Sequence, residues 1–299
     1  MSFVDFMIIG AMKSGTTTLS QILSQHPDVY FCHEKEPHFF SKNPNWETNL
    51  NNYRALYSPK NHQICGEAST TYTCYPEFNQ DIWNSLYKFN PNLKLIYIMR
   101  DPVDRIVSHW MHMYLRGYTS EALENSIFKD PSYINRTRYY LQIRPYLEKF
   151  GHEQVLLLTF EEFINNQATV CQRIADFLSI DYPFQKENKI IHANISVGKS
   201  KENIIIDQIK SNQSFQLIKN LLPNNFKTWA YRNIRNLTNK KIDQRPVISE
   251  NYKEIIWNLL YLDVENIEKV MGRKLIEWQS QNQQNISDLS LPQSSVDSL

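Results

Sequence analysis

One stretch near the start of the chain restricts the fold more than any other: Phe6-Met7-Ile8-Ile9-Gly10-Ala11-Met12-Lys13-Ser14-Gly15-Thr16-Thr17-Thr18. A short apolar run ends in a turn bounded by two glycines, and the turn opens into a helix-like run from Leu19 to Gln25. A strand, a tight loop and a helix start in that order leave backbone N–H groups pointing outward with partial positive charge, an arrangement that favours a phosphate. Lys13 adds a full charge, and the hydroxyls of Ser14, Thr16 and Thr17 add donors. The chain has only 7 Gly in 299 residues, so two within this loop do not reflect a glycine-rich composition.

The apolar pattern beyond the loop repeats the same unit. Phe3–Ile9 reads as the first strand and Thr16–Gln25 as the first helix, stopped by His26-Pro27 because a residue before Pro disfavours helical geometry. Val29–Phe31 reads as a short second strand. Leu93–Met99 is a strand-length apolar run that ends in Arg100-Asp101-Pro102 and leads into a helix from Val103 to Leu115. Val155–Phe160 is a further strong strand, followed by a helix from Glu161 to Leu178. Ile248–Trp278 has Tyr252, Ile255, Ile256, Leu259, Leu260, Val264 and Ile267 at helical spacing. Continuous apolar strands alternating with helices indicate an α/β fold: one P-loop-like domain, residues 1–278, with a central parallel sheet flanked by helices on both faces. Residues 279–299 are Ser-, Gln- and Asn-rich without Lys or Arg, and read as a disordered polar tail.

In such sheets ligands bind beyond the C-terminal ends of the strands. The Lys13 loop and the Arg100 turn both lie at such ends. Arg100 is suited to a bidentate hold on a phosphate, and Ser108, eight residues on, to a neutral hydrogen bond. The competing reading pairs Arg100 with Asp101 or Asp104.

Charge and cysteine content exclude several classes. A formal net charge of +1 argues against a protein built on overall positive charge to hold nucleic acid. Residues 186–245 carry twelve Lys and Arg against four Asp and Glu, either a solvated face or a groove for an anionic nucleotide or acceptor. The four Cys, at 32, 65, 74 and 171, have no metal-type spacing, and Cys65 and Cys74 are free to pair only in an oxidising compartment. Neither a signal peptide nor a membrane-length apolar run is visible, which sets the expectation of a soluble, cytoplasmic protein.

The loop has the two-glycine spacing of the nucleotide triphosphatase P-loop, but Thr16 stands where that motif needs Lys, and the Lys lies at position 13. K-x-G-T-T after a first strand resembles the 5′-phosphosulfate loop of sulfotransferases that use 3′-phosphoadenosine 5′-phosphosulfate (PAPS). The segment Arg100-Asp101-Pro102-Val103-Asp104-Arg105-Ile106-Val107-Ser108 resembles the 3′-phosphate-binding segment of the same family. Glu36-Pro37-His38-Phe39-Phe40 is similar to the E-x-H-F-F segment of glucosaminyl 3-O-sulfotransferases. Val264–Trp278 looks like the closing helix and Trp of bacterial members, so the resemblance runs from about Phe3 to Trp278. Gly66–Tyr72 resembles the family's G-E-K-S/T-P-x-Y segment, with Ala68 where the animal enzymes carry Lys and with Glu67 a possible contact to substrate or to Lys13. His192–Lys201 occupies the place of the late nucleotide-contacting loop.

The resemblance implies sulfuryl transfer from PAPS to a hydroxyl or amine, with a carbohydrate acceptor expected and no metal. Lys13 would neutralise the leaving oxygen, while Ser14, Gly15, Thr16 and Thr17 hold the 5′-phosphate. Arg100 and Ser108 would hold the 3′-phosphate, with Lys199 a further phosphate contact. Glu36 is the implied base and His38 its rival; an extended run over residues 35–40 would place Glu36, His38 and Phe40 on one face. Trp110, His112, Tyr114, Arg138 and Tyr139 are candidates either for the acceptor cleft or for the core. A Mg-ATP-dependent P-loop kinase and a non-catalytic nucleotide- or glycan-binding module are the alternatives on this fold.

Overall fold

The structure, a computed structural model, describes residues 3–182, 242 and 244–279. Five parallel strands, β1 (Phe6–Gly10), β2 (Val29–Phe31), β3 (Ile64–Ala68), β4 (Lys94–Met99) and β5 (Val155–Thr159), form one sheet in the order β2-β3-β1-β4-β5. The helices are α1 (Thr16–Ser24), α2 (Phe39–Lys42), α3 (Leu50–Arg54), α4 (Ile82–Phe89), α5 (Pro102–Leu115), α6 (Leu123–Lys129), α7 (Ser132–Asn135), α8 (Tyr139–Phe150), α9 (Phe160–Asn165), α10 (Gln167–Leu178), α11 (Glu250–Met271) and α12 (Ile276–Gln279).

The strands are apolar throughout because both faces are covered. Phe6 and Ile8 of β1, with Ile96 and Ile98 of β4, join Leu19, Ile22 and Leu23 of α1 and Val170, Ile174 and Leu178 of α10 in one core cluster. Met7 and Ile9, with Leu95, Tyr97 and Met99, point the other way, into a larger cluster with Leu86 of α4, Ile106 of α5, Ile143 and Tyr146 of α8 and Ile256 and Leu260 of α11. The period-two alternation along each strand therefore feeds two cores, as expected for a parallel sheet between helical layers.

Two elements differ from the sequence reading. β3 lies beside β1 at the centre of the sheet, yet its residues Ile-Cys-Gly-Glu-Ala interrupt the apolar run by which a strand is recognised. The predicted helix from Glu161 is two helices, α9 and α10, separated at Asn166, whose φ of −134° is not helical. The helical pattern over Ile248–Trp278 is borne out as two helices, the 22-residue α11, ended by Gly272 in the left-handed conformation, and the short α12. All four cysteines are buried and free, so Cys65 and Cys74 are not bridged. Among the described residues no helix is long and apolar enough to cross a membrane.

Asp263 of α11 accepts from the backbone N–H groups of Tyr140 and Leu141, fixing the start of α8. Trp278 is 2% exposed, donates its indole N–H to Glu161 and lies 5.6 Å from the Tyr139 ring. The C-terminal segment thereby locks α8 and α9, which together back the Arg100 turn.

Candidate active site

The loop after β1 runs from Gly10 into α1 at the C-terminal edge of the sheet. It is tied to the next strand by Ala11 N–H donating to the Ile98 carbonyl. Lys13 and Gly15 have φ of 72° and 93°, so the chain turns tightly before α1 starts. Gly15 meets a second constraint: a Cβ there would lie 2.6 Å from the Phe160 ring. The α1 start lacks a side-chain cap and has no acidic residue in its first turn, so its N–H groups face the mouth of the site without a countercharge. Ser14 is fully buried and its Oγ has no partner among the described residues. A buried hydroxyl left without a partner beside an uncapped helix start is a cradle that an anion would complete.

The Arg100 turn is built differently. Asp101 caps α5 by accepting from the Asp104 N–H at 2.8 Å, with Pro102 in the first helical turn. Burial raises the Asp101 carboxyl to about 7. Arg100 donates to Asp104 at 2.8 Å, the ion pair anticipated as the competing reading, and Arg245 reaches the same carboxylate at 2.9 Å. The Arg100 guanidinium also lies 4.7 Å from the centroid of the Phe160 ring. Its buried Nε has no partner among the described residues, so that donor is not used by the pairing. Ser108 is buried on the second turn of α5. Phe160, which opens α9 directly after β5, is thus a shared wall for the loop and the turn. The sequence reading took it as the last residue of a strand and gave it no role; its place at a strand end was the one signal that could have found it.

A third element, the strap Lys35-Glu36-Pro37-His38 between β2 and α2, closes the site. It does not run extended. Glu36 and His38 have φ of 56° and 54°, in the left-handed region, and Phe39 already begins α2. The expectation that Glu36, His38 and Phe40 share one face is therefore corrected: Phe40 is fully buried among Trp46, Tyr53 and Phe89. Glu36 and His38 nevertheless meet, with His38 Nε2 3.4 Å from the Glu36 carboxylate. His38 is held from behind by β3 and the turn after it. Its Nδ1 lies 2.8 Å from the Thr71 hydroxyl, and its N–H donates to Ser69 Oγ at 3.0 Å. Thr71 is in turn 2.6 Å from Ser41. Thr71 donating to Nδ1 and Nε2–H donating to Glu36 would satisfy a neutral ring.

Electrostatics join the strap to the loop. Burial acts to raise the Glu36 carboxyl, but the hydrogen bond from His38 and the charge of Lys35 hold it below the ordinary carboxylate value. Burial and the charges of Lys13 and Arg116 push His112 down to about 3, against the pull of Glu36. His112 is therefore neutral at neutral pH and feels both the loop lysine and the strap carboxylate. Lys35 Nζ donates to Thr17 Oγ1 at 3.1 Å, a direct bridge from the strap to α1. Arg136, ion-paired with Glu77, places its guanidinium against Met12 of the loop.

The other candidates sort into core and site. Trp110 is buried and stacks on Tyr114, with centroids 4.9 Å apart. Tyr139 is buried with its hydroxyl donating to the Arg100 carbonyl. Both serve packing, and His112 interacts electrostatically with Lys13 and Glu36. Glu67 has no surface for a substrate: it is fully buried, accepting from Tyr53 at 2.7 Å and Tyr57 at 3.4 Å. Burial raises it to about 7 despite those bonds. Ala68 is 4% exposed and forms part of the wall under α1. Lys199 and the His192–Lys201 segment lie outside the described residues, as does the tail from residue 280. Among the described residues no group of three or more His, Cys, Asp or Glu side chains is placed to hold a metal ion.

The chain is similar to known proteins. The sequence model of the sulfotransferase domain matches residues 4–245. The chain is 32% identical over 126 residues to the membrane-associated sulfotransferase kil1 of Dictyostelium discoideum, covering 41% of this chain and 26% of that protein. It is 29% identical over 185 residues to heparan sulfate glucosamine 3-O-sulfotransferase 3B1 of Mus musculus, covering 58% of this chain and 45% of that protein. The matches thus span less than half the length of these two relatives. Among solved structures, a sulfotransferase from Alicyclobacillus acidocaldarius superposes with a TM-score of 0.64 at 23% identity, covering 93% of this chain and all of the other. The sulfotransferase domain from the curacin biosynthetic pathway gives 0.50 at 13% identity, covering 87% and 98%. The structural likeness establishes the fold, and with the domain match over most of its length the chain belongs to the sulfotransferase family.

Proposed function

We propose that the protein transfers a sulfuryl group from PAPS to a hydroxyl or amine of a carbohydrate acceptor, by in-line displacement with Glu36 as base. The observation that carries this reading is that the strap bearing Glu36 is joined to the helix start beside the Lys13 loop, with Lys35 Nζ donating to Thr17 Oγ1 at 3.1 Å and His38 Nε2 3.4 Å from the Glu36 carboxylate. The charges of Lys13 and Glu36 both act on His112, in keeping with that placement. Transfer needs a cation where the leaving oxygen gains charge and a base where the acceptor loses its proton, close together and on opposite sides of the transferred group. Glu36 takes the acceptor proton as the acceptor oxygen or nitrogen bonds to sulfur. Lys13 stabilises the bridging oxygen as the sulfur–oxygen bond breaks. His38, clamped by Thr71 and Ser69, orients Glu36 rather than competing with it. The loop from Ser14 to Thr17 would hold the 5′-phosphate, and Arg100 and Ser108 the 3′-phosphate. The sulfuryl group carries less charge than a terminal phosphoryl group, so we read the transfer as metal-independent.

The carbohydrate acceptor is supported by the heparan sulfate relative and by the strap it shares with this chain. The test is release of adenosine 3′,5′-bisphosphate from PAPS with a panel of glycan acceptors, alongside thermal stabilisation by the bisphosphate and by Mg-ATP. A ligand that binds only the folded state must raise its apparent stability. Stabilisation by the bisphosphate and EDTA-resistant turnover are expected. Stabilisation by Mg-ATP alone would return the loop to a kinase.

A further inference from the structure

Lys35 is the residue of the site whose placement the reaction as described does not explain. Its ammonium crosses from the strap to donate to Thr17 Oγ1 at 3.1 Å, on the second residue of α1. Among the described residues Lys35 has no carboxylate within ion-pair distance. It stands instead against the positive end of a helix whose first turn carries no acid, with Lys13 in the same loop. A cation there is opposed by the helix dipole and by its neighbour. The Thr17 hydroxyl, accepting from an ammonium, keeps its own O–H to donate outward, polarised by the charge behind it. Two lysines from two separate segments thus bracket an uncapped helix start beside the unpartnered Ser14 hydroxyl.

We propose that Lys35 is a second cationic ligand of the donor's 5′-phosphosulfate, and that this contact seats the base. The proposal rests on the donor-binding reading above. Lys35 immediately precedes Glu36, and the positive φ at Glu36 and His38 gives the strap one compact shape. Anchoring Lys35 on the donor therefore sets the position of the neighbouring carboxylate. Lys13 grips the group from the loop side and Lys35 from the acceptor side.

The test compares adenosine 3′,5′-bisphosphate with adenosine 3′-phosphate, which lacks the 5′ group, by calorimetry on the full chain and on Lys35→Ala, Lys35→Arg and Thr17→Val. Lys35→Ala should weaken the bisphosphate about tenfold, the scale of one charge-assisted hydrogen bond, and leave adenosine 3′-phosphate unchanged. Lys35→Arg should recover most of the loss, and Thr17→Val, which keeps the charge, should lose less than Lys35→Ala. Equal loss for both ligands would assign Lys35 to the scaffold and overturn the proposal. Equal bisphosphate affinity in Lys35→Ala and the unaltered protein would also overturn it, with the donor reading intact. An unaltered protein that binds neither ligand would overturn the donor reading and the Lys35 role together.

Discussion

The loop after β1 and the turn after β4 are both strand-to-helix connections at the same edge of the sheet, yet they are charged in opposite ways. The loop start of α1 has no acidic residue and no side-chain cap. The start of α5 has Asp101 as its cap and Asp104 in its first turn, and Asp104 binds Arg100 and Arg245. The first element carries no acid of its own. The second already sets Asp104 against Arg100 and Arg245. On the proposed function the two halves of the bisphosphate site would contribute unequally: the loop would supply affinity and charge for the chemistry, and the turn selection.

The largest effect lies on the strap that stands against the loop. Glu36→Gln should lower kcat by about a thousandfold, the range for a lost general base, with bisphosphate affinity nearly unchanged. Because the Glu36 carboxyl lies below its ordinary value, the acid limb of kcat/KM should fall below the usual carboxylate range. A limb at or above that range would reassign the base. Next, Arg100→Ala should weaken adenosine 3′,5′-bisphosphate about thirtyfold while barely changing adenosine 5′-phosphate, measured by titration. Similar losses for both ligands would mean that the turn does not select. Gly15→Ala forces a side chain into a φ of 93° and against Phe160, so it should cost about 1–3 kcal/mol of stability in denaturant melts. It should also weaken the bisphosphate.

Two smaller effects sharpen the comparison. Glu67, folded, is raised to about 7, so between the ordinary carboxylate value and that pH the folded state keeps a proton that the unfolded chain releases. Stability should therefore fall as pH rises through this window and level off above it, and Glu67→Gln should flatten the slope in pH-dependent melts. Asp104→Asn should tighten the bisphosphate about two- to threefold by removing a half-exposed carboxylate that competes for Arg100 and Arg245. Weaker binding instead would make Asp104 the residue that aims Arg100.

The sheet was legible where strands were continuously apolar, as at β1, β4 and β5, because burial on both faces leaves that mark. β3 was hidden because Gly66 packs under Phe6 and Glu67 is buried with one oxygen accepting from Tyr53 of α3 and Tyr57 of the turn after it. No local pattern reports a carboxylate whose partners come from elsewhere in the chain. Lys13, Ser14 and Gly15 were readable because a loop between strand and helix forms its own geometry. The convergence of Glu36 and His38 was anticipated, but for the wrong reason: left-handed residues, not an extended run, bring them together. Lys35 and Phe160 were missed because their roles depend on which elements face each other across the mouth, which follows from strand order rather than from spacing.

Phe160 carries a further consequence. The same ring excludes a side chain at Gly15 and lies against the Arg100 guanidinium. On the proposed function, the loop and the turn that would hold the two phosphates are therefore spaced by one rigid plane, like the jaws of a fixed gauge. A ligand with two anionic groups at the matching interval binds as a chelate, its second contact made at high effective concentration once the first has formed. A ligand with one such group, or with two at another interval, receives only one jaw's affinity. On this view selectivity for a bisphosphorylated nucleoside is a matter of length, and a single aromatic side chain that touches neither phosphate sets the length.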